Sequence, residues 1–188
     1  INFINILILL ILTTTQALIA QNKPSIHFNE DNGLAGNMVQ DIIKDNNGIL
    51  WIGTDNGLSK FDGDKFQNLY KSDGLPSNRV WALAVDDKNT IYAGCYKSGL
   101  AIIRNDSIIK ILHTSDRFPN TFRTFHYNKI FKKLLVGTDD GIYILQDTTL
   151  IPVVYQKDSL KKSSILSISE KDARIFFSAH GNATGGVY

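Results

Sequence analysis

The segment LWIGTDNGL at residues 50–58 decides the fold, because its parts return along the chain with a fixed period. Its bulky apolar half recurs as IYAGC at 91–95, LLVGT at 134–138 and IFFSA at 175–179. A second marker precedes each copy at a nearly constant distance and ends in the large apolar residues Leu34, Leu75, Phe118 and Leu160. A third follows each copy as Gly57-Leu58, Gly99-Leu100, Gly141-Ile142 and Gly186-Val187. Three markers in phase identify a repeat of about 42 residues.

Each repeat contains four short apolar segments separated by turn residues. In the first repeat these segments span residues 39–44, 49–54, 58–61 and 65–70, and they are rich in β-branched and aromatic residues. The turns between them contain Asn-Gly and Asp-Gly, which supply the positive φ angles that tight hairpins need. Four antiparallel strands in a repeat of this length are typical of a propeller blade. The sequence therefore predicts an all-β fold, a β-propeller of four-stranded antiparallel blades.

The repeats are expected at about residues 32–72, 73–115, 116–157 and 158–188, which makes three blades and part of a fourth. Residues 26–28 precede the first repeat at the offset that belongs, in later repeats, to the outermost strand of the preceding blade. Propellers often close by completing one blade from both chain ends, which removes exposed strand edges. We therefore predict that residues 26–28 are a closing strand and that residues 21–188 are the N-terminal piece of a longer propeller.

Two repeated positions have a predicted structural role. A bulky residue recurs at Trp51, Tyr92, Leu135 and Phe176, where it would pack between neighbouring blades. Glycine recurs at Gly53, Gly94 and Gly137, where it would allow neighbouring sheets to approach closely. Because other bulky residues replace Trp51 in later repeats, we interpret it as a core residue rather than a ligand contact.

Residues 1–20 have the pattern of a secretory signal peptide, with an apolar stretch followed by small residues and a cleavage position after Ala20. The apolar stretch is short for a membrane span, which needs about 20 residues. We therefore expect an exported protein.

The single cysteine, Cys95, permits no internal disulfide and is interpreted as a structural thiol.

Composition argues against several functions. The net charge is +2, and the basic residues are scattered, whereas nucleic-acid binding usually needs a basic face. The four histidines lie at no metal-ligand spacing, and the sequence has no nucleophile elbow or phosphate-binding loop. We therefore expect no nucleic-acid partner, no metal, no cofactor and no catalysis in this segment.

A ligand would meet the loops between blades and the turns between the second and third strands, which gather at one end of a propeller. Polar and aromatic residues at these positions are the candidate ligand-binding residues: Arg79, Tyr96, Lys97 and His180. Surface loops also carry such residues for solubility.

The repeats resemble the two-component regulator propeller family. The resemblance is strongest at Gly33-Leu34, at residues 50–54 and 57–58, and at residues 73–80, and it weakens after residue 116. It implies the periplasmic input domain of a membrane-anchored sensor histidine kinase or hybrid regulator of the kind common in Bacteroidetes, many of which respond to glycans. The implied partners are an oligosaccharide or another small periplasmic ligand, further blades, the kinase and a second copy in a homodimer. A secreted or surface glycan-binding adhesion propeller without signalling output remains an alternative, as does a propeller lyase or hydrolase.

Overall fold

The computed structural model describes residues 2, 25–112, 121–153, 163–172, 174–181 and 186–187, with side chains through residue 181. Several sequence predictions lie outside these residues. They are the signal peptide at 1–20, the second marker in the third and fourth repeats at 116–118 and 158–160, and His113.

The described strands form four antiparallel sheets, each built from consecutive strands, which we call blades 1 to 4. Blade 1 contains β1 (Val39–Lys44), β2 (Leu50–Thr54), β3 (Gly57–Phe61) and β4 (Phe66–Leu69). Blade 2 contains β5 (Val80–Val85), β6 (Ile91–Cys95), β7 (Gly99–Arg104) and β8 (Ser107–Leu112). Blade 3 contains β9 (Phe122–Asn128), β10 (Lys133–Thr138), β11 (Gly141–Gln146) and β12 (Thr149–Pro152). Blade 4 contains β13 (Ser163–Lys171), β14 (Arg174–Gly181) and β15 (Gly186–Val187).

These blades confirm the predicted all-β class and the four-stranded antiparallel unit. In the described part of the chain the sheets form no closed ring. The turn glycines have the predicted role, since the left-handed backbone that hairpins need occurs at Gly48 and Gly57, with φ of 90° and 151°.

The second marker, which ends in Leu34 and Leu75 in the first two repeats, forms the entrance to a blade. A single-turn 3₁₀ helix at Glu30–Asn32 ends at Gly33, and a second at Lys71–Asp73 ends at Gly74, with φ of 105° and 107° at the two glycines. A left-handed residue of this kind is the common way to end a helical turn. The leucines that follow, Leu34 and Leu75, are buried.

Bulky residues from neighbouring blades interdigitate in three apolar clusters. Trp51 packs with Leu83 and Ile91 between blades 1 and 2, and it is only 3% exposed. Tyr92 packs between blades 2 and 3, and Leu135 between blades 3 and 4. Their predicted place in the inter-blade core is therefore confirmed, whereas Phe176 is half-buried and its neighbour Phe177 joins the third cluster.

The repeated glycines lie where the next blade presses against the second strand. A Cβ atom at Gly53 would lie 2.9 Å from the carbonyl oxygen of Val80, and one at Gly94 would lie 2.7 Å from Phe122 Cβ. These separations are too short for ordinary contacts. The interpretation of these glycines as close-approach positions is confirmed.

Residues 25–29 form no strand in the described structure. The Phe28 ring nevertheless packs on the rings of Phe61 and Phe66, with centroids 4.9 and 5.3 Å away. The next blade shows the same arrangement. There Leu69, from the outermost strand β4, packs in one cluster with Ile103 and Ile108, which are the counterparts of Phe61 and Phe66. Phe28 thus occupies the packing position of an outermost strand, and the closing strand at 26–28 stays a prediction.

Candidate ligand-binding site

The candidate site lies on the end of the blades where the inter-blade loops and the second-to-third-strand turns meet. Arg79 immediately precedes β5, and Tyr96 and Lys97 form the turn between β6 and β7. The two segments are fixed side by side, since the Tyr96 amide donates a hydrogen bond to the carbonyl oxygen of Arg79 at 2.9 Å. Lys97 has the left-handed φ of 51° that this tight turn requires.

Three of the four predicted ligand-binding residues therefore form one cluster, with Arg79 and Lys97 both at the Tyr96 ring. The Arg79 guanidinium and the Lys97 ammonium each lie 5.2 Å from the centroid of the Tyr96 ring. Both distances are within the range of cation–π attraction, which favours a cation above an aromatic face. Tyr96 is half-buried and the two cations are exposed, so the ring is a platform that holds positive charge at the surface.

The contacts continue into blade 3 through residues that the sequence analysis missed. The Trp81 ring lies 4.4 Å from the Tyr96 ring, centroid to centroid, at an interplanar angle of 37°. On its other side, the Arg123 guanidinium lies 4.9 Å from the Trp81 ring centroid. Aromatic pairs at such separations add stabilisation beyond the area that they bury.

Asp139 ends this series of contacts and connects it to blade 4. Arg123 Nε donates a hydrogen bond to Asp139 Oδ1 at 2.6 Å, and the Ser164 hydroxyl donates to the same oxygen at 3.2 Å. Burial alone would raise the pKa of Asp139, but the hydrogen bond and charge of Arg123 and the Ser164 hydroxyl outweigh it and hold that pKa below its usual range. The carboxylate is therefore ionised at neutral pH.

We call the resulting arrangement the aromatic–cation row. It consists of six side chains in contact from blade 2 to blade 3: Arg79, Lys97, Tyr96, Trp81, Arg123 and Asp139.

His180, the fourth predicted residue, lies on the same end of the blades but apart from the row. It is exposed, and its strand partner is Ser164, which itself contacts Asp139. Within the described residues, no hydrogen bond, ion pair or ring contact connects His180 to Arg79, Tyr96 or Lys97.

A β-bulge explains why Trp81 and Arg123 reach the row. The pairing of the first and second strands shifts register at Trp81 in blade 2 and at Arg123 in blade 3. The same shift occurs at Gln40 in blade 1 and Leu166 in blade 4. A bulge redirects a side chain that strict alternation would place elsewhere. The sequence did contain a signal for this position, since Gln40 follows Leu34, and Trp81 follows Leu75, at the same distance along the chain.

The row offers positive charge at an aromatic surface. Its exposed cations are Arg79 and Lys97, while Arg123 is paired with Asp139. Across the described residues, no group of three or more His, Cys, Asp or Glu side chains is placed to hold a metal ion. In the same part of the chain, no helix has the length and hydropathy of a membrane span.

Comparison with known proteins agrees with the repeat and the fold. The family model described as two component regulator propeller matches residues 33–56 and 74–97, which confirms the resemblance of the first two repeats. No curated protein sequence matches the chain.

Solved structures from Bacteroides thetaiotaomicron and Porphyromonas gingivalis have a similar fold. The extracellular domain of the Bacteroides thetaiotaomicron protein described as hybrid two component system BT3049 matches 90% of this chain with a TM-score of 0.67 and 18% identity. The corresponding domain of BT4673 matches 80% with a TM-score of 0.62 and 23% identity. PorZ, a surface component of the type-IX secretion system of Porphyromonas gingivalis, matches 89% with a TM-score of 0.60 and 14% identity. The chain spans 25%, 21% and 28% of these three structures.

Proposed function

We propose that this chain is part of the exported ligand-sensing propeller of a two-component sensor kinase or hybrid regulator, and that the aromatic–cation row binds the ligand. The segment itself is non-catalytic and serves as a signal input. The observation that carries the proposal is the row, a continuous set of contacts that joins two blades on the loop-bearing end. A ligand at this position would contact both blades at once, so its binding energy could depend on how they are oriented.

Two comparisons support a sensor role. The first two repeats match the two component regulator propeller model. The solved structures with a similar fold include two described as extracellular domains of hybrid two component systems. An extracellular position also agrees with the signal peptide predicted at residues 1–20.

The chemistry of the row favours an oligosaccharide that carries acidic groups. Cations occupy the surroundings of the Tyr96 and Trp81 rings, and Arg79 and Lys97 have no ion pair among the described residues. Charge-assisted hydrogen bonds to carboxylate or sulfate groups are stronger than those between neutral partners. The exposed parts of these two rings would contact the apolar faces of sugar rings.

The binding test compares acidic and neutral oligosaccharides with the natural protein, expressed from its complete reading frame. Calorimetry would measure oligogalacturonate against a neutral galacto-oligosaccharide of the same length. We expect the acidic sugar alone to bind, and the double substitution Arg79→Gln and Lys97→Gln to weaken it at least about tenfold. Lys71→Gln, an exposed lysine outside the row, is the matched control. Equal binding of both sugars, or no effect of the double substitution, would contradict the assignment.

An adhesion or glycan-binding propeller without signalling output is the second candidate function. The likeness to PorZ, a bacterial surface component, favours it. The two functions differ in what the complete reading frame encodes. A frame that continues into a membrane helix and a kinase or regulator supports the sensor, whereas one that ends in a secretion signal supports the adhesin.

A further inference from the structure

The turn between β9 and β10 exposes two large apolar side chains on the end of the blades opposite the aromatic–cation row. Ile130 is 63% exposed and Phe131 is 68% exposed. The corresponding turns of blades 1 and 2 are polar, with the sequences DNNG at 45–48 and DDKN at 86–89. The apolar pair is therefore a property of this one turn and not of the repeat.

The structure holds this turn in a defined shape. The Phe131 amide donates a hydrogen bond to Asn128 Oδ1 at 2.6 Å, and Asn128 in turn donates to Glu170 of blade 4 at 2.9 Å. Lys132 takes the left-handed φ of 50° that completes the turn. Because the backbone is fixed from both sides, the apolar pair stays at the surface instead of folding back onto the blade.

Lysines surround the apolar pair, since residues 129–133 read KIFKK. The Lys132 ammonium lies 3.4 Å from Asp87, but its side chain remains 71% exposed. Lys129 and Lys133 form no ion pair within the described residues. The turn therefore presents two apolar side chains at its tip with lysines on either side. Exposed apolar residues combined with basic ones favour binding at the surface of an anionic bilayer.

A basic groove between blades 2 and 3 continues from the turn. Its volume is about 420 Å³, and its cationic lining residues are Lys88, Arg104, Lys110, Lys132 and Lys133. Five cations therefore face three carboxylates in this groove, Asp86, Asp87 and Asp147, which leaves an excess of positive charge. Tyr92 donates a hydrogen bond to Asp86 at 3.2 Å, and Tyr127 donates one to Asp87 at 2.8 Å. A further apolar side chain at its rim, Ile109, is 52% exposed.

We propose that this turn and groove form a docking surface for a lipid bilayer that contains anionic lipids. Ile130 and Phe131 enter the boundary between headgroups and acyl chains, while the lysines and the groove bind phosphate groups. Two side chains at a hairpin tip are too small a surface for a stable protein interface, which buries about 800 Å² on each partner. A bilayer needs no such area, since each basic residue near an anionic surface strengthens partitioning by about fivefold.

The orientation that follows is specific. The turns between first and second strands lie at one end of the blades, and the row lies at the other, so docking would direct the row away from the bilayer. This proposal does not depend on the function proposed for the row, because the two surfaces share no residue.

The test places a fluorescent probe at the tip of the turn in the natural protein, expressed from its complete reading frame. Phe131→Trp is mixed with vesicles of brominated phosphatidylcholine, with or without an equal part of phosphatidylglycerol, because bromine quenches a tryptophan that enters the acyl region. We expect at least about threefold more quenching of the added tryptophan with the anionic lipid. Lys129→Gln together with Lys133→Gln, or high salt, should remove most of that difference. Met38→Trp replaces another exposed apolar residue, on the opposite end, and should show no quenching.

Three results would overturn the proposal. The first is an absence of quenching at residue 131 with anionic vesicles, and the second is equal quenching at residue 38. The third is an emission at residue 131 that is already shifted to the blue before vesicles are added and does not respond to them. That third result would mean that protein covers the turn.

Discussion

The indole Nε1 of Trp51 donates a hydrogen bond to Asp45 Oδ2 at 3.1 Å, which joins the second strand of blade 1 to the turn that precedes it. The same relationship recurs one blade later, where the Tyr92 hydroxyl donates to Asp86 at 3.2 Å. In blade 3 the strand residue is Leu135, which has no donor, and the turn residue is Asn128, which donates to Glu170 of blade 4. The turn position is therefore Asp in the two blades whose strand residue can donate a hydrogen bond, and Asn in the blade whose strand residue cannot.

Trp51→Phe should lower the free energy of unfolding by about 1.5–3 kcal/mol at neutral pH, since it removes a hydrogen bond to a buried carboxylate. Burial would raise the pKa of Asp45, but the bonds from Trp51 and from the Ile49 and Asn47 amides outweigh it and lower that pKa. The stabilisation is thus present above the unfolded pKa of about 4 and is lost as the pH falls through the lower folded value. Urea unfolding at several pH values would measure it.

Asp45→Asn supplies the partner for a double-mutant cycle with Trp51→Phe. If the hydrogen bond couples the two residues, the double variant should be more stable than the sum of the single losses implies. Losses that add within about 0.3 kcal/mol would show that the bond contributes nothing beyond the packing of each side chain.

Gly94→Ala should destabilise the protein by about 1–3 kcal/mol, because the added methyl group would lie 2.7 Å from Phe122 Cβ and 2.7 Å from the tip of the Phe125 ring. Phe122 is fully buried and cannot move aside without shifting β9. Thermal or urea unfolding of the purified variant is the measurement.

Gly63→Ala is the comparison for Gly94→Ala. It adds the same methyl group at a position with φ of 102° and no neighbouring atom within 4 Å, so its cost is limited to backbone strain, about 1 kcal/mol. A Gly94→Ala variant no less stable than Gly63→Ala would refute the close approach of blades 2 and 3.

The Cys95 thiol should be inert to thiol reagents in the native protein at pH 8. Its side chain is fully buried, and burial raises its pKa to about 12, against the smaller opposing effect of its hydrogen bond to the Ser77 carbonyl. Because the thiolate is the reactive form, both access and ionisation are missing. Labelling followed by mass spectrometry of the Cys95 peptide should therefore require urea. Rapid labelling without denaturant would contradict the packing of blades 1 and 2.

Asp139→Asn should lower the free energy of unfolding by less than about 1 kcal/mol at neutral pH, because its ion pair with Arg123 is about one-third exposed and is screened by water. The lowered pKa of Asp139 gives the sign of the pH dependence. The difference from the unsubstituted protein should persist above about pH 4 and vanish as the pH falls through the folded pKa. Urea unfolding in low and high salt would test this, with a smaller difference expected in high salt. A difference that grows at low pH would contradict the assignment.

The strands of blade 1 could be predicted nearly to the residue because they depend on local chemistry. Apolar runs such as 50–54 lie between turns rich in Asp, Asn and Gly, and the period places the same pattern in blades 2 and 3. Gly53 and Gly94 could be assigned to close approach for the same reason, since a repeated residue at a repeated position points to a repeated contact. Arg79, Tyr96 and Lys97 could be brought together because strand order alone places their turns at one end of a blade.

By itself, therefore, the sequence determined the blade, its strand order and the end on which a ligand would be expected, because each follows from hairpins that close within a few residues. Only the tertiary structure decided that Trp81 and Arg123 extend the predicted cluster into a row, and that Ile130 and Phe131 are held at the surface. The physical reason is that these outcomes depend on a bulge that redirects side chains and on the angle between neighbouring blades. Both are decided by packing between residues far apart in the chain, such as Gly94 and Phe122.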